Sequence, residues 1–428
     1  PEIVAYHYSE ADCPEQAITY LHQAGRRAQQ RSAHVEAIAH LTKALKNLAT
    51  LPETAERSKD ELEMLLALGP SLIAIKGYAA QEAEQRYSRA RVLCRQMGET
   101  AQLFQTLLGL WGFYLVRANH QEALKVGKEL LELAHGTPDT IYRIQSHLTL
   151  GGTLFCLAEF VPASEHLEKG AELYAHQNHR AYTSLADLGV FCSAWASQAL
   201  WHIGYPDRAL TRSREAVKLS EELAHPFSMA LALNYAAIFH QFRREPEAAY
   251  QRAEAAIVIC KAQKFAYYLG WAKIIRGWAI AEQGDCDEGE AVIQSGLRTL
   301  QDTGAKRSMP YYRSLLAEVY SKSGQLEKGM QTISAAFVEA ENIGERWWEA
   351  ELYRLKGALL LRQSTPDAIR AEDCFQQALS VARRQQSITL ELRAAKSLYH
   401  LWQQQGKRDN ARQLLFGVYN RLTEGFDT

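Results

Sequence analysis

Tryptophan side chains and side-chain amides recur together along the middle of this chain. A stretch of fewer than eighty residues contains Trp201, Asn234, Gln241, Trp271 and Trp278. Flat aromatic faces can stack on a ligand while amides bond its polar edges, so this combination suits recognition of a peptide, a nucleotide or a sugar. The alternative interpretation is structural: the tryptophans could fill a core between long helices.

Motifs for catalysis are missing from the sequence. Gly127-Lys128 and Gly406-Lys407 lack the upstream glycine and the following Ser or Thr of a phosphate-binding loop. Neither HExxH nor GxSxG occurs, and the histidines and cysteines are not clustered at metal-ligand spacing. We therefore expect no enzymatic activity in this chain, and no cofactor or metal.

Composition narrows the possible partners. The formal net charge is −1, from 48 basic and 49 acidic residues, whereas a dedicated nucleic-acid binder needs a basic surface. No apolar run is long enough to span a bilayer, and nothing favours a membrane surface. The 7 cysteines are scattered singly without a CxxC pair, which is typical of reduced thiols in a cytoplasmic protein.

A repeat of about 40 residues organises the chain. Ten small residues recur at nearly constant spacing, and six of the nine intervals between them are 40 residues long. Such a period indicates an array of units that each bury their apolar face against a neighbour. The ten positions are Ala37, Ala83, Ala123, Ala163, Ala209, Ala249, Gly289, Gly329, Ala371 and Ala411.

Each repeat has the pattern of a helical hairpin. Ile144, Leu148 and Gly151 are spaced as one face of a helix, a turn follows around Pro162, and Ala163 begins the returning face. No stretch alternates with period two, so we expect no sheet. The sequence predicts about twenty antiparallel helices, with loops near 50–60, 136–140, 178–182, 304–310 and 363–368.

This pattern resembles the tetratricopeptide repeat. Leu150-Gly151 matches the family's Leu-Gly pair, although His147 stands where the family often has tryptophan, and the unit is longer than the family's basic repeat. The resemblance covers nearly the whole chain and implies a right-handed α-solenoid over residues 15–428. Residues 1–14 are expected to end a preceding element, and we expect the natural protein to continue on both sides.

A second resemblance is to one bacterial family of signalling proteins. The sequence segments that show this resemblance include KGYAAQEAEQRYSRAR, HPFSMALALNYAAIFHQFRRE and ERWWEAELYRLKGALLL. These strings are similar to the C-terminal tetratricopeptide region of proteins that carry an adenylate/guanylate cyclase or kinase domain and a P-loop ATPase module. The resemblance implies a non-catalytic sensor segment that binds a protein, a peptide or a small ligand and regulates the attached ATPase or cyclase.

The tetratricopeptide resemblance also implies where a ligand would bind. In that family, helix A of each hairpin lines the concave groove. Inner positions of the first four repeats, such as Leu66, Leu108 and Leu148, are mostly aliphatic or small, whereas repeats five to eight combine aromatics with amides. Two alternatives stay open, a small-molecule receptor with exposed tryptophans and a passive scaffold with buried ones. The predicted groove residues are His202, Asn234, Gln241, Trp271, Trp278, Tyr311 and Arg354.

Overall fold

A computed structural model describes residues 1–11, 13–176 and 186–426, and its regular structure in these ranges consists of 21 α-helices without a β-strand. The predicted all-α solenoid is therefore confirmed. The helices are α1 Glu2–Glu10, α2 Pro14–Gln30, α3 His34–Leu48, α4 Ala55–Lys76, α5 Gln81–Met97, α6 Thr100–Val116, α7 His120–His135, α8 Thr140–Cys156, α9 Phe160–Ala175, α10 Leu188–His202, α11 Pro206–Leu223, α12 Pro226–Phe242, α13 Pro246–Gln263, α14 Ala266–Glu282, α15 Cys286–Asp302, α16 Met309–Lys322, α17 Leu326–Ile343, α18 Glu349–Arg362, α19 Ala368–Arg384, α20 Ile388–Gln404 and α21 Arg408–Tyr419.

Helices α2 to α21 pair in chain order into ten hairpins, which we number 1 to 10. The first member of each pair is helix A and the second is helix B. All ten small residues of the 40-residue pattern lie near the start of a helix B and are buried. Helix B can approach helix A closely at these positions because the residues lack bulk. The closest case is hairpin 7, where a Cβ added to Gly289 would lie 2.6 Å from the carbonyl oxygen of Gly277.

The turns between helices A and B are short, and glycine makes several of them possible. Gly204, Gly284, Gly324 and Gly406 have φ values of 90°, 116°, 81° and 79°. This left-handed region is strained for residues with a Cβ, so glycine suits it. All four glycines lie between helix A and helix B of their hairpins, where the chain reverses.

The longer predicted loops also match the structure where it is described. Non-helical segments separate α3 from α4, α7 from α8, α15 from α16 and α18 from α19. They overlap the loops expected near 50–60, 136–140, 304–310 and 363–368. The loop expected at 178–182 lies outside the described residues.

Successive turns of the solenoid touch each other. Helix α4 packs against α14, and α10 against α20, each five hairpins further along the chain. The Val116 carbonyl at the end of α6 accepts hydrogen bonds from the backbone N–H groups of Lys306 (2.9 Å) and Arg307 (3.0 Å). The last carbonyls of a helix have no partner within the helix, so the next turn satisfies them. Helices A therefore pack against one another across the turns, and this closure decides which inner positions stay open.

Candidate functional site

The predicted groove residues lie inside this inter-turn packing. His202, Asn234, Gln241, Trp271, Trp278 and Tyr311 each expose 1% of their surface or less. Their assignment to the inner faces of helices A agrees with the structure, but the expectation that they line an open groove is wrong in this state. The tryptophans are buried, as the scaffold interpretation required. A binding role for these residues stays a prediction.

Hydrogen bonds satisfy part of the buried polar groups of this set. The Tyr311 hydroxyl, in hairpin 8, donates to Gln241 Oε1 in hairpin 6 at 2.9 Å. The Trp278 indole donates to Glu318 Oε2 at 3.2 Å, and Asn234 Nδ2 donates to the carbonyl of Ala230 at 2.8 Å. A buried polar group without a partner would cost about 1–3 kcal/mol. Each amide is satisfied at one atom, whereas Asn234 Oδ1 and Gln241 Nε2 are buried without a partner among the described residues.

His202 is held in place by an aromatic ring and by a polar contact. Its imidazole stacks on Phe160 with ring centroids 4.0 Å apart, and Nδ1 lies 3.2 Å from the Ser387 hydroxyl of hairpin 10. Burial, assisted by the nearby charge of Arg393, holds the pKa of His202 well below its usual value. The ring is therefore neutral at physiological pH and serves the contact between turns.

Arg354, the seventh predicted residue, belongs to an ionic cluster. Its guanidinium donates two hydrogen bonds to the buried Glu351 carboxylate, at 2.9 and 2.8 Å. Arg393 also contacts Glu351, at 3.1 Å. Burial alone would raise the pKa of Glu351, but the neighbouring arginines lower it to about 2. The cluster joins hairpins 9 and 10 and borders a cleft of about 200 Å³ near the C-terminal ends of α14, α16 and α18.

A larger cavity lies elsewhere, between the first three helices A and the start of two later ones. Its volume is about 810 Å³. We call it the N-terminal cavity. Helices α2, α4 and α6 form one side, and the N-terminal ends of α12 and α14 form the other. Its lining comprises His22, Gln23, Arg26, Gln29, Gln30, Ser32, His34, Glu63, Leu66, Ala67, Pro70, Gln102, Gln105, His225, Phe227 and Phe265.

Side-chain amides dominate the polar part of this lining. Gln23, Gln30 and Gln105 are exposed, while Gln102 is half-buried. Gln102 Oε1 is buried and has no hydrogen-bond partner within the described ranges, and the same holds for His22 Nε2. Amides offer both donors and acceptors. The cavity can therefore form paired hydrogen bonds with a polar ligand.

Three histidines give the cavity its electrostatic character. Burial lowers the pKa of His22, with a further contribution from Arg26. Burial also lowers the pKa of His34 and of His225. The rings are therefore mostly neutral at pH 7, and the charged lining residues are Arg26 and Glu63. A lining without excess charge suits a neutral polar backbone better than a polyanion.

An apolar end completes the cavity. Phe227 and Phe265 contact each other with ring centroids 5.1 Å apart in an edge-to-face arrangement. Leu66, Ala67 and Pro70 lie on one face of α4. The cavity thus combines a polar wall with a hydrophobic one, as ligand sites commonly do.

Sequence reasoning missed this site. It classified the inner wall of the first four repeats as aliphatic or small from positions such as Leu66. The available signal was a polar stripe on α2, where His22, Arg26 and Gln29 follow one another at helical spacing. A polar stripe on the inner face of a helix A is poorly suited to a core. Such a stripe therefore indicates an open inner wall, and it could have located the cavity.

The described ranges contain neither a metal site nor a membrane-spanning helix. Among the residues described, no group of three or more His, Cys, Asp or Glu side chains is arranged to hold a metal ion. In the same ranges, no helix combines the length and apolar character required to cross a bilayer.

Comparison with other sequences gives little functional information. No protein-family model matches the chain. An uncharacterized protein of Rhizobium meliloti (strain 1021) is 27% identical over 413 residues, which are 93% of this chain and 39% of that protein. The chain therefore spans well under half the length of this relative.

Solved structures share the fold at low sequence identity. A Rap protein complexed with Competence and Sporulation Factor has a TM-score of 0.59 and 13% identity, over 86% of this chain and 98% of that one. NprR in complex with its cognate peptide NprX has a TM-score of 0.56 and 12% identity, over 85% and 99%. The Rap conjugation gene regulator of plasmid pLS20 with the Phr* peptide has a TM-score of 0.52 and 12% identity, over 84% and 94%. These similarities support the solenoid fold.

Proposed function

We propose that this chain is a non-catalytic helical-repeat domain that binds an extended peptide segment in the N-terminal cavity. The observation that carries the proposal is the cavity itself, with about 810 Å³ of space beside a wall of glutamines. A peptide backbone alternates N–H donors and C=O acceptors. Amide side chains can pair with both, so the wall matches a backbone better than it matches a ligand with one kind of polar group.

The similar structures support a peptide as the ligand class. Rap was solved with Competence and Sporulation Factor, and NprR with the peptide NprX. The same solenoid architecture therefore accommodates peptides in other proteins. The buried aromatics of hairpins 5 to 8 do not offer a comparable surface in this structure, so we place the peptide in the N-terminal cavity.

The position of the cavity between two turns of the solenoid supports a role in regulation. One wall belongs to hairpins 1 to 3 and the other to hairpins 6 and 7, which lie in successive turns of the solenoid. A ligand that contacts both walls adds contacts between the turns and stabilises their closed packing. We propose that this closure is transmitted to an attached signalling ATPase or cyclase, as the resemblance to cyclase–ATPase signalling proteins implies.

Peptide selection tests the binding proposal. A display library of random short peptides is selected on the wild-type chain, and the affinity of an enriched peptide is measured by calorimetry. Arg26→Ala should weaken binding about tenfold, the effect of losing about 1.4 kcal/mol. Arg27→Ala is the matched control, because Arg27 is the next residue of α2, is exposed, and is absent from the cavity lining.

Two outcomes would overturn this assignment. Equal loss of affinity in Arg26→Ala and Arg27→Ala would place the peptide outside the cavity. No enriched peptide at all, together with binding of a small polar molecule that Gln102→Ala abolishes, would make the cavity a small-molecule site, for which its volume is also suitable.

Control of an attached domain requires a separate test in the full-length protein. If that protein carries an ATPase module, the selected peptide should change its rate of nucleotide hydrolysis, and Arg26→Ala should shift this response to higher peptide concentration. An unchanged rate at saturating peptide would refute the regulatory part of the proposal without affecting the binding part.

A further inference from the structure

Arg307 is a buried cation without an ion-pair partner. Its side chain is 5% exposed, and its guanidinium carbon lies 4.8 Å from the ring centroids of both Trp195 and Trp271. Within the ranges that the structure describes, no carboxylate forms an ion pair with it. Arginine does not deprotonate in proteins, and a buried charge is costly unless it is balanced. Arg307 instead bonds to the side chains of Cys156, Tyr235 and Tyr267, and Glu345 is the nearby acid.

The groups that surround Arg307 are mostly neutral. Burial raises the pKa of Cys156 and of Tyr235, and it raises the pKa of Tyr267 to about 12. Glu345 is the nearby acid, but burial raises its pKa to about 7 in spite of the charge of Arg307. The Glu345 carboxylate accepts a hydrogen bond from the backbone N–H of Ser308 at 2.7 Å. Among the described residues it forms no direct ion pair with Arg307, so the guanidinium has no carboxylate bonded to it.

A second arginine in the same interior shows that the fold can satisfy such a group. The guanidinium carbon of Arg393 lies 5.1 Å from the ring centroid of Trp201 and 5.9 Å from that of Trp348. Arg393 also contacts Glu351 at 3.1 Å and donates to the Phe242 carbonyl at 2.5 Å. Two arginines thus share a tryptophan environment, and Arg307 lacks the carboxylate that Arg393 has.

Beside Arg307 lies a small space between buried side chains, which we call the Arg307 chamber. Its volume is about 20 Å³, enough for one particle of about the size of a water molecule. Arg307, Trp195, Trp271 and Tyr312 line it. Arg307 Nε, both indole nitrogens and the Tyr312 hydroxyl are buried without hydrogen-bond partners in the described ranges. Indole and guanidinium nitrogens can donate but cannot accept, so the unsatisfied groups call for an acceptor.

We propose that the Arg307 chamber binds one monoatomic anion of chloride size, which neutralises the guanidinium and accepts hydrogen bonds from the unpartnered donors. The small volume favours a monoatomic ion over sulfate or a carboxylate ligand, and the positive charge disfavours a cation. The site is independent of peptide binding in the N-terminal cavity. It also couples turns of the solenoid, because the Arg307 backbone bonds to Val116 of hairpin 3.

Bromide diffraction and halide-dependent melting test this site. Crystals of the wild-type chain soaked in sodium bromide should show an anomalous peak inside the chamber, next to Arg307 and the two indole nitrogens. Melting temperature should rise by about 1–2 °C for each tenfold increase in chloride above its dissociation constant. Sodium gluconate at the same ionic strength should not reproduce the rise, because gluconate is too large to enter.

Two variants sharpen the result. Arg307→Met removes the buried charge and keeps an apolar side chain between the tryptophans. Its melting temperature should not respond to chloride, and in chloride-free buffer it should equal or exceed that of the wild type. Arg362→Met, at an exposed arginine that bonds to Ser321, should keep the full chloride response.

A water molecule is the competing occupant. Absence of a bromide peak in the wild type, with equal melting temperatures in chloride and gluconate, would assign the chamber to water and overturn the proposal. The proposal would equally be overturned if Arg307→Met kept the chloride response of the wild type. If Arg307→Met fails to fold, the wild-type bromide measurement decides alone.

Discussion

The N-terminal cavity and the aromatic interior of hairpins 5 to 8 are built from the same positions, the inner faces of helices A. In the interior, residues such as Trp278 and Tyr311 meet side chains from other turns and are buried. In the cavity, Gln30 and Gln105 face about 810 Å³ of open space. An inner position becomes core where the opposite turn supplies large side chains, and it stays open where that turn presents helix N-terminal ends.

Large aromatic side chains therefore mark the core of this solenoid, and exposed amides line the cavity that we propose as the binding surface. The difference between the two regions can be measured, because core residues should matter for stability and cavity residues for binding. Substitutions should accordingly change the free energy of unfolding most in the aromatic interior and least at the cavity wall.

Trp278→Ala should lower the free energy of unfolding by about 3–5 kcal/mol, because it removes a fully buried indole and leaves a void. Urea unfolding followed by circular dichroism measures this change. A loss below about 1 kcal/mol would mean that the interior can open. Such a small loss would support the sequence-based prediction that Trp278 lines a groove.

Acid should destabilise the fold through a buried histidine at the start of α7, in hairpin 3. Burial, with a contribution from Arg307, lowers the pKa of His120 from 6.5 to about 4. Between these two pH values His120 binds a proton in the unfolded chain but not in the folded chain. The free energy of unfolding therefore falls as pH decreases from 6.5 to about 4. His120 should account for about 2–3 kcal/mol of this loss.

His120→Leu should remove its share of the pH dependence and leave the share of other buried histidines such as His202. Unfolding free energies of both proteins at several pH values in this window give the comparison. Identical pH profiles would contradict the assignment of His120 as a buried neutral group.

Ala249→Leu should cost about 1–3 kcal/mol, because Ala249 is fully buried where helices A and B of hairpin 6 approach. Val258→Leu is the control on the same helix, at a side chain that is 62% exposed. The control should change stability by less than about 0.5 kcal/mol. Equal melting temperatures for both variants would show that the small residue is not needed for close packing.

Gln105→Ala should change stability least, by less than about 0.5 kcal/mol, because the side chain is exposed in the cavity. It should nevertheless weaken the binding of a display-selected peptide. A large loss of stability would make this wall part of the core and erase the difference between the two regions.

The hairpin pattern could be predicted because it depends on local spacing. Each small residue, from Ala37 to Ala411, is set by contact with the preceding helix in the same hairpin, so the 40-residue period encodes it directly. The positive φ of Gly284 is likewise a local requirement. Such features need no knowledge of distant parts of the chain.

The openness of the inner wall could not be predicted in this way. Whether Trp271 faces a ligand or a neighbouring turn depends on contacts five hairpins apart, such as the packing of α4 against α14. Those contacts follow from the pitch of the solenoid, to which many small angles between hairpins contribute. Periodicity placed Trp271 on the inner face but gave no information about that pitch.

Hydrogen–deuterium exchange with and without a display-selected peptide tests the central claim most directly. Bound peptide should slow exchange in α2, α4 and α6 and at the N-terminal ends of α12 and α14, while α16 and α18 change little. Protection confined to hairpins 5 to 8, with no change in hairpins 1 to 3, would contradict the account and place the binding surface in the aromatic interior.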